Sequence, residues 1–144
     1  MARTIALIPA RSGSKGIPGK NFRPFADGLC CADRALLCAR QAGIAAIDLF
    51  LCTDYDYPEE PPIAEIAFRM IHRPPELAQD DTPMVDVVRH ALAHPYVSGD
   101  DDDIIVLLQP TQPFRTPNHI REAVKLLRDE GADSVVSVVP VPKA

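Results

Sequence analysis

A chain of 144 residues is one domain by length, large enough to bury roughly 70% of its unfolded surface, and its 47% hydrophobic and 24% charged residues are ordinary for a globular protein. The net charge of −5 argues against a general nucleic-acid binder, and no apolar run approaches the ~20 residues of a membrane span or forms a signal-peptide core. Cys30, Cys31, Cys38 and Cys52 contain no Cys-x-x-Cys pair and the four histidines are scattered, so buried reduced thiols in a cytoplasmic protein are expected, without a zinc site.

In chain order, the first element is an apolar strand, Ile5–Pro9. It runs into a basic, glycine-rich turn holding Arg11, Gly13, Ser14, Lys15, Gly16, Gly19, Lys20 and Asn21. Ala32, Ala35, Leu36 and Ala39 then recur at helical spacing, with Gly43 as the stop. A second strand covers Asp48–Thr53, and Tyr55–Pro62, with three prolines and three acids, reads as an exposed loop. Thr82 followed by Pro83 predicts an N-cap and first turn for a helix through about Ala93. Asp100–Asp103 reads as a solvated turn, because consecutive side chains diverge and cannot close on one ion. Next come a strand over Ile104–Gln109, a helix opening at Thr116-Pro117 and ending near Glu130-Gly131, and a strand over Ser134–Val138. Strands alternating with helices predict an α/β fold, a mostly parallel sheet with covering helices.

The turn after the first strand carries the chemistry. Glycines let the backbone bend tightly and approach a ligand, so that successive N–H groups converge on an anion, while Arg11, Lys15 and Lys20 supply positive charge. A P-loop is excluded, since the Gly-Lys-Ser/Thr expected four residues after Gly13 is replaced by Pro18-Gly19. The dinucleotide fingerprint is excluded too: there is no Gly-x-Gly, and Pro18 breaks a helix interior. Beyond the turn, Arg73 and Asn21 suit a pyrimidine edge, and Gln109 ends a predicted central strand, where open α/β sheets bind ligands. Local roles compete with these. Lys15 can face solvent, Arg73 can pair with Glu76 or Asp80, Thr82 can serve only as a cap, and Arg115 can stabilise its own loop.

Four motifs in order carry a family resemblance over nearly the whole chain. Ile8-Pro9-Ala10-Arg11-Ser12-Gly13-Ser14-Lys15-Gly16-Ile17-Pro18-Gly19-Lys20-Asn21 resembles the N-terminal motif of the sugar-acid cytidylyltransferases, the acylneuraminate (nonulosonic acid) cytidylyltransferase family. Cys52-Thr53-Asp54 stands where these enzymes have Ser-Thr-Asp, and the stretch from Arg73-Pro74-Pro75-Glu76-Leu77-Ala78 to Thr82 resembles their Arg-Pro-x-Glu-Leu-Ala segment. Leu108-Gln109-Pro110-Thr111-Gln112-Pro113-Phe114-Arg115 resembles their Leu-Gln-Pro-Thr-Ser-Pro-Leu-Arg loop. Ala132 to Val138 is similar to the strand that follows. The stretch from Ile63 to Met70 is several residues shorter than its family counterpart.

The resemblance implies a Rossmann-like nucleotidyltransferase fold, a three-layer sandwich, and transfer of CMP from CTP to the anomeric hydroxyl of a sialic acid or related nonulosonic acid, with release of pyrophosphate. It implies Arg11 and Lys20 as catalytic cations on the phosphates and Gly13, Ser14, Lys15, Gly16, Asn21, Arg73 and Thr82 as further nucleotide contacts, with Gln109 on the sugar acid. Mg²⁺ and a homodimer are expected for the full-length family. Family enzymes continue into a segment bearing the acidic pair that holds Mg²⁺, much of the sugar pocket and a dimerisation arm, so residues 1–144 are expected to be the N-terminal, CTP-binding domain, without metal ligands of their own. Two other readings stay open: a non-catalytic CTP-binding fragment or pseudoenzyme, and a cytidylyltransferase for another sugar acid.

Overall fold

The computed structural model describes residues 2–57, 63, 65–97 and 99–141. Its centre is set by period-two burial in the first strand, β1 (Thr4–Pro9), where Ala6 and Ile8 face one side and Ile5 and Leu7 the other. Near-continuous apolar runs of this kind suit a parallel sheet covered on both faces. β2 (Leu49–Thr53), β3 (Arg69–His72) and β4 (Ile104–Leu107) complete one four-stranded sheet in the order β3-β2-β1-β4. Every pairing is parallel, with Ile8 opposite Leu51, Ile5 opposite Ile105 and Cys52 opposite Ile71.

One face of the sheet is covered by α1 (Cys31–Gln41), whose Ala32, Ala35, Leu36 and Ala39 pack on Ala6, Ile8, Leu49 and Leu51, joined by Ile120 of α3 (Pro117–Glu130). The other face is covered by α2 (Met84–Leu92), whose Val87 and Ala91 meet Ile5, Leu7, Phe50 and Ile71. Each fully buried Leu, Ile or Val contributes about 1.5–3 kcal/mol. The result is the expected three-layer α/β arrangement.

Helix ends follow the sequence with one exception. Cys30 caps α1 in place of a serine, its Sγ accepting from the Asp33 N–H at 3.4 Å while the Asp33 carboxylate accepts from the Cys30 N–H at 2.8 Å. The helix ends with Gly43 at φ 102° and the Ile44 N–H donating to the Ala39 carbonyl. α3 starts after Thr116 with Pro117 in its first turn and stops at Gly131, as expected. The exception is α2. Its N-cap is Pro83, with no side-chain cap, and the Thr82 hydroxyl instead accepts from the Gln79 N–H at 3.1 Å. Because Pro83 holds the extended conformation (ψ 135°), the helix begins one residue later than the predicted cap allows.

One other expectation is corrected. The strand predicted over Ser134–Val138 forms no ladder among the described residues, and Val136 and Val138 are 77% and 85% exposed. β-branched residues favour a strand only when a neighbour supplies hydrogen bonds and a surface to pack on. The loop from Tyr55 starts exposed, as expected, at Tyr55 and Asp56, but it is anchored: Tyr55 stacks on Phe22 at 4.1 Å, and the half-buried Tyr57 donates its hydroxyl proton to Asp33. Residues 58–62 of that loop lie outside the described residues.

Candidate functional site

Parallel strands place the loops that follow them along one edge. The carboxyl ends of β1, β2 and β3 are tied together by the Ala10 N–H donating to Cys52 (3.0 Å) and the Arg73 N–H donating to Thr53 (2.8 Å). The order β3-β2-β1-β4 sends successive connections outward on opposite sides of β1. The crevice at that reversal is where open α/β sheets take ligands, and the basic turn leaves β1 there.

The turn is internally braced. The Asp54 carboxylate, at the end of β2, accepts from both the Ser12 N–H (2.7 Å) and the Ser12 hydroxyl (2.6 Å). The Ser14 hydroxyl donates to the Ile17 carbonyl and accepts from the Lys20 N–H. Gly19, at φ 64°, is the glycine that the turn requires for its backbone conformation. Gly13 and Gly16 do not adopt positive φ, and a Cβ at Gly16 would meet nothing within 4 Å.

The cations divide into two kinds. Arg11 Nη1 lies 2.6 Å from one oxygen of Asp80, and Lys15 Nζ 2.7 Å from the other. Lys15 is exposed to solvent, yet paired. The Lys15 and Arg11 side chains hold the Asp80 carboxyl below the usual carboxylate range. Lys20 is exposed, and its ammonium has no ion-pair partner among the described residues.

Asn21 and Arg73 are buried, at 6% and 3% exposure, which is unusual for residue types this polar. The Asn21 Nδ2 donates to the Arg11 carbonyl at 3.1 Å, while its Oδ1 is buried with no hydrogen-bond partner among the described residues. Arg73 donates through Nε to the Leu77 carbonyl at 2.6 Å and forms none of the ion pairs with Glu76 or Asp80 that its spacing allowed. Burial lowers its pKa, partly offset by Cys52 and Asp54, with Arg11 also near enough to act on it. Arg11, Lys15, Asp80, Asn21, Ser12, Asp54 and Arg73 are thus linked by direct bonds or neighbouring charge, while Ser14 is bonded to Ile17 and Lys20 instead.

Gln109 follows β4 by two residues, on the same edge beside β1; its side chain is exposed, and its carbonyl accepts from Arg115 Nη2. Arg115 also donates to Gln112 Oε1, so it braces its own loop. Thr82 lies in the turn that carries Asp80. A cleft of about 470 Å³ opens at the opposite edge beside Thr4 and Asp48. Its cations are engaged, Lys125 with Asp129, Arg121 with the Gln41 carbonyl and Arg128 with the Thr4 hydroxyl.

Mg²⁺ does not fit the described residues. No group of three or more metal-ligating side chains converges among the described residues, Asp54 is taken by Ser12, and Asp80 by two cations. Asp100–Asp103 is a turn whose Asp103 pairs with Arg3. No helix among the described residues is long and apolar enough to cross a membrane.

A positively charged turn at the switch point of a parallel α/β sheet is the place where folds of this class take anionic ligands. Comparison with known proteins narrows the class. A family model described as Cytidylyltransferase matches residues 5–143, and the chain belongs to that family. It is 34% identical over 142 residues to an N-acylneuraminate cytidylyltransferase of Streptococcus agalactiae serotype V, covering 98% of this chain and 33% of that protein. It is 35% identical over 144 residues to a CMP-N,N'-diacetyllegionaminic acid synthase of Legionella pneumophila, covering 96% of this chain and 59% of that one. Among solved structures, a CMP:2-keto-3-deoxy-manno-octonic acid synthetase complexed with CTP superposes with a TM-score of 0.68 at 24% identity, covering 91% of this chain and 49% of that one.

Residues that sequence reasoning missed are Ser12, the brace for Asp54, and Asp80 as the shared partner of Arg11 and Lys15. Asp80 lies inside a family-like motif, but nothing in local spacing ties it to the first turn.

Proposed function

We propose that the protein of which this chain is part transfers CMP from CTP to the anomeric hydroxyl of a sialic acid or related nonulosonic acid. The hydroxyl oxygen bonds to the α-phosphorus, the bond from that phosphorus to the bridging oxygen breaks, pyrophosphate leaves, and the hydroxyl proton passes to a base. The acylneuraminate and legionaminic acid relatives support this acceptor class.

The observation that carries the nucleotide reading is Asn21. Its Oδ1 is a buried acceptor without a donor among the described residues, and leaving such a group unmatched costs about 1–3 kcal/mol. The exocyclic amine of cytosine is a donor that relieves this cost, whereas uracil presents a carbonyl there. Arg73 supplies donors for the acceptor side of the ring. Lys20, Arg11 and Lys15 neutralise phosphate charge, and Ser14 with the amides around Gly13 and Gly16 lines the phosphates, with no Cβ in the way at Gly16. Gln109 contacts the sugar acid, and Thr82 borders the nucleotide. No step is assigned to a metal.

Calorimetric titration with CTP, UTP, ATP and GTP tests the reading. CTP is expected to bind at least about tenfold more tightly than UTP, the ratio for one unmatched buried polar group. Equal affinities for the four nucleotides overturn it.

A further inference from the structure

The cations that would hold a triphosphate already hold something else. Asp80 gives one carboxylate oxygen to Arg11 (2.6 Å) and the other to Lys15 (2.7 Å). This is the charge-assisted pattern that two phosphate oxygens would make. An incoming phosphate at those two groups must therefore displace Asp80 or share its partners, and sharing sets anion against anion.

The peptide that carries Asp80 is a short connecting segment. It lies between a 3-10 turn, Pro75–Leu77, and the start of α2. It is braced within itself, with Gln79 Nε2 donating to the Pro75 carbonyl at 2.7 Å and the Gln79 N–H to the Thr82 hydroxyl at 3.1 Å. Its upstream end is pinned by Arg73, which donates to Leu77. Residues 79–81 are all exposed. Lys15 is exposed and Arg11 half-buried, and ion pairs open to solvent are individually weak, so the contact can be broken by a ligand that offers more charge.

We propose that Asp80 is an intramolecular counter-ion that occupies the phosphate-binding cations, and that oligophosphate binding exchanges it for phosphate and releases the turn 78–83. The inference deepens the proposed nucleotide site and rests on it. It assigns Asp80 as a specificity residue: a ligand whose phosphates reach Arg11 and Lys15 must outcompete a carboxylate, while a bare nucleoside does not meet that competition.

The test measures the affinity of the full chain for inorganic tripolyphosphate, CTP and cytidine in the wild type, Asp80→Asn and Asp81→Asn. Asp81 is exposed and has no ion pair among the described residues, so its substitution makes the same change in net charge without removing the contact. Asp80→Asn is expected to tighten tripolyphosphate and CTP about three- to tenfold, the range for one or two exposed ion pairs, and to leave cytidine unchanged. The gain shrinks in high salt, which screens exposed charges. Asp81→Asn is expected to do much less. Equal gains in the two variants, or weaker binding in Asp80→Asn, overturn the inference. In the wild type, saturating tripolyphosphate should speed amide hydrogen exchange across 78–83, and unchanged or slower exchange there overturns it independently of any variant. The tripolyphosphate arm needs no base recognition. A gain there without a preference for CTP removes the cytidylyl reading alone, whereas a preference for CTP without the gain removes this inference alone.

Discussion

The two edges of the sheet use the same charged groups in opposite proportions. At the amino edge Arg3 spans two carboxylates, Asp48 at 3.2 Å and Asp103 at 3.1 Å, and its N–H donates to Asp103 as well. At the carboxyl edge the acid is the shared group, with Asp80 spanning Arg11 and Lys15 while Lys20 stands apart. The first arrangement staples the start of β1 to the strands on either side of it. The second leaves positive charge in excess, which is what an anion site needs. Charge therefore works for the fold at one edge and for ligand at the other, and substitutions should separate the two.

The largest separation is expected at Lys20. Lys20→Ala should weaken CTP binding by about 1.5–3 kcal/mol, the worth of a charge-assisted contact, with cytidine affinity and thermal stability unchanged. Calorimetry and a melting curve check both halves, and equal losses for CTP and cytidine would place Lys20 off the phosphates. Next is Gly43, in the turn that leads from α1 toward the amino edge. At φ 102°, Gly43→Ala forces a side chain into left-handed backbone and should cost about 1–2 kcal/mol of stability, read as a lower denaturant midpoint with ligand affinity intact. The smallest effect concerns pH. The Arg3 backbone N–H, then its guanidinium, holds the Asp103 carboxyl below its ordinary value. A depressed folded pKa gives stability that is present above the unfolded value, about 3.9 for aspartate, and lost as pH falls through the folded one. The Tm advantage of the wild type over Asp103→Asn should therefore narrow on acidification below that value. A constant gap would show that Asp103 acts through packing instead.

How much of this was legible depends on the range of the interaction. The apolar runs of β1 and β2, the helical spacing of Ala32, Ala35, Leu36 and Ala39, the Thr116-Pro117 start and the glycine stops at Gly43 and Gly131 are local, and the structure carries them out. The basic turn was legible for the same reason. Asp80 was not: its partners lie more than sixty residues away along the chain, and a sequence presents an aspartate near an arginine only when they are near in number. For the same reason local spacing offers Arg73 only Glu76 or Asp80 as ion-pair partners, while the fold buries it against the Leu77 carbonyl. The apolar run Ser134–Val138 failed in the converse way, since strand propensity is local but pairing is not.

The cysteines carry a consequence of a different kind. Three lie in or beside α1 and one in β2, and all four are buried and unpaired. Burial pushes the Cys30 thiol up to about 12 and that of Cys52 to about 11, and raises Cys31 and Cys38 as well. Since only the thiolate reacts, alkylation at neutral pH has to wait for the protein to open. The rate at which a thiol reagent consumes Cys52, in the middle of the sheet, then becomes a clock for global opening, while the three around α1 time the detachment of that helix, without any label having to be introduced.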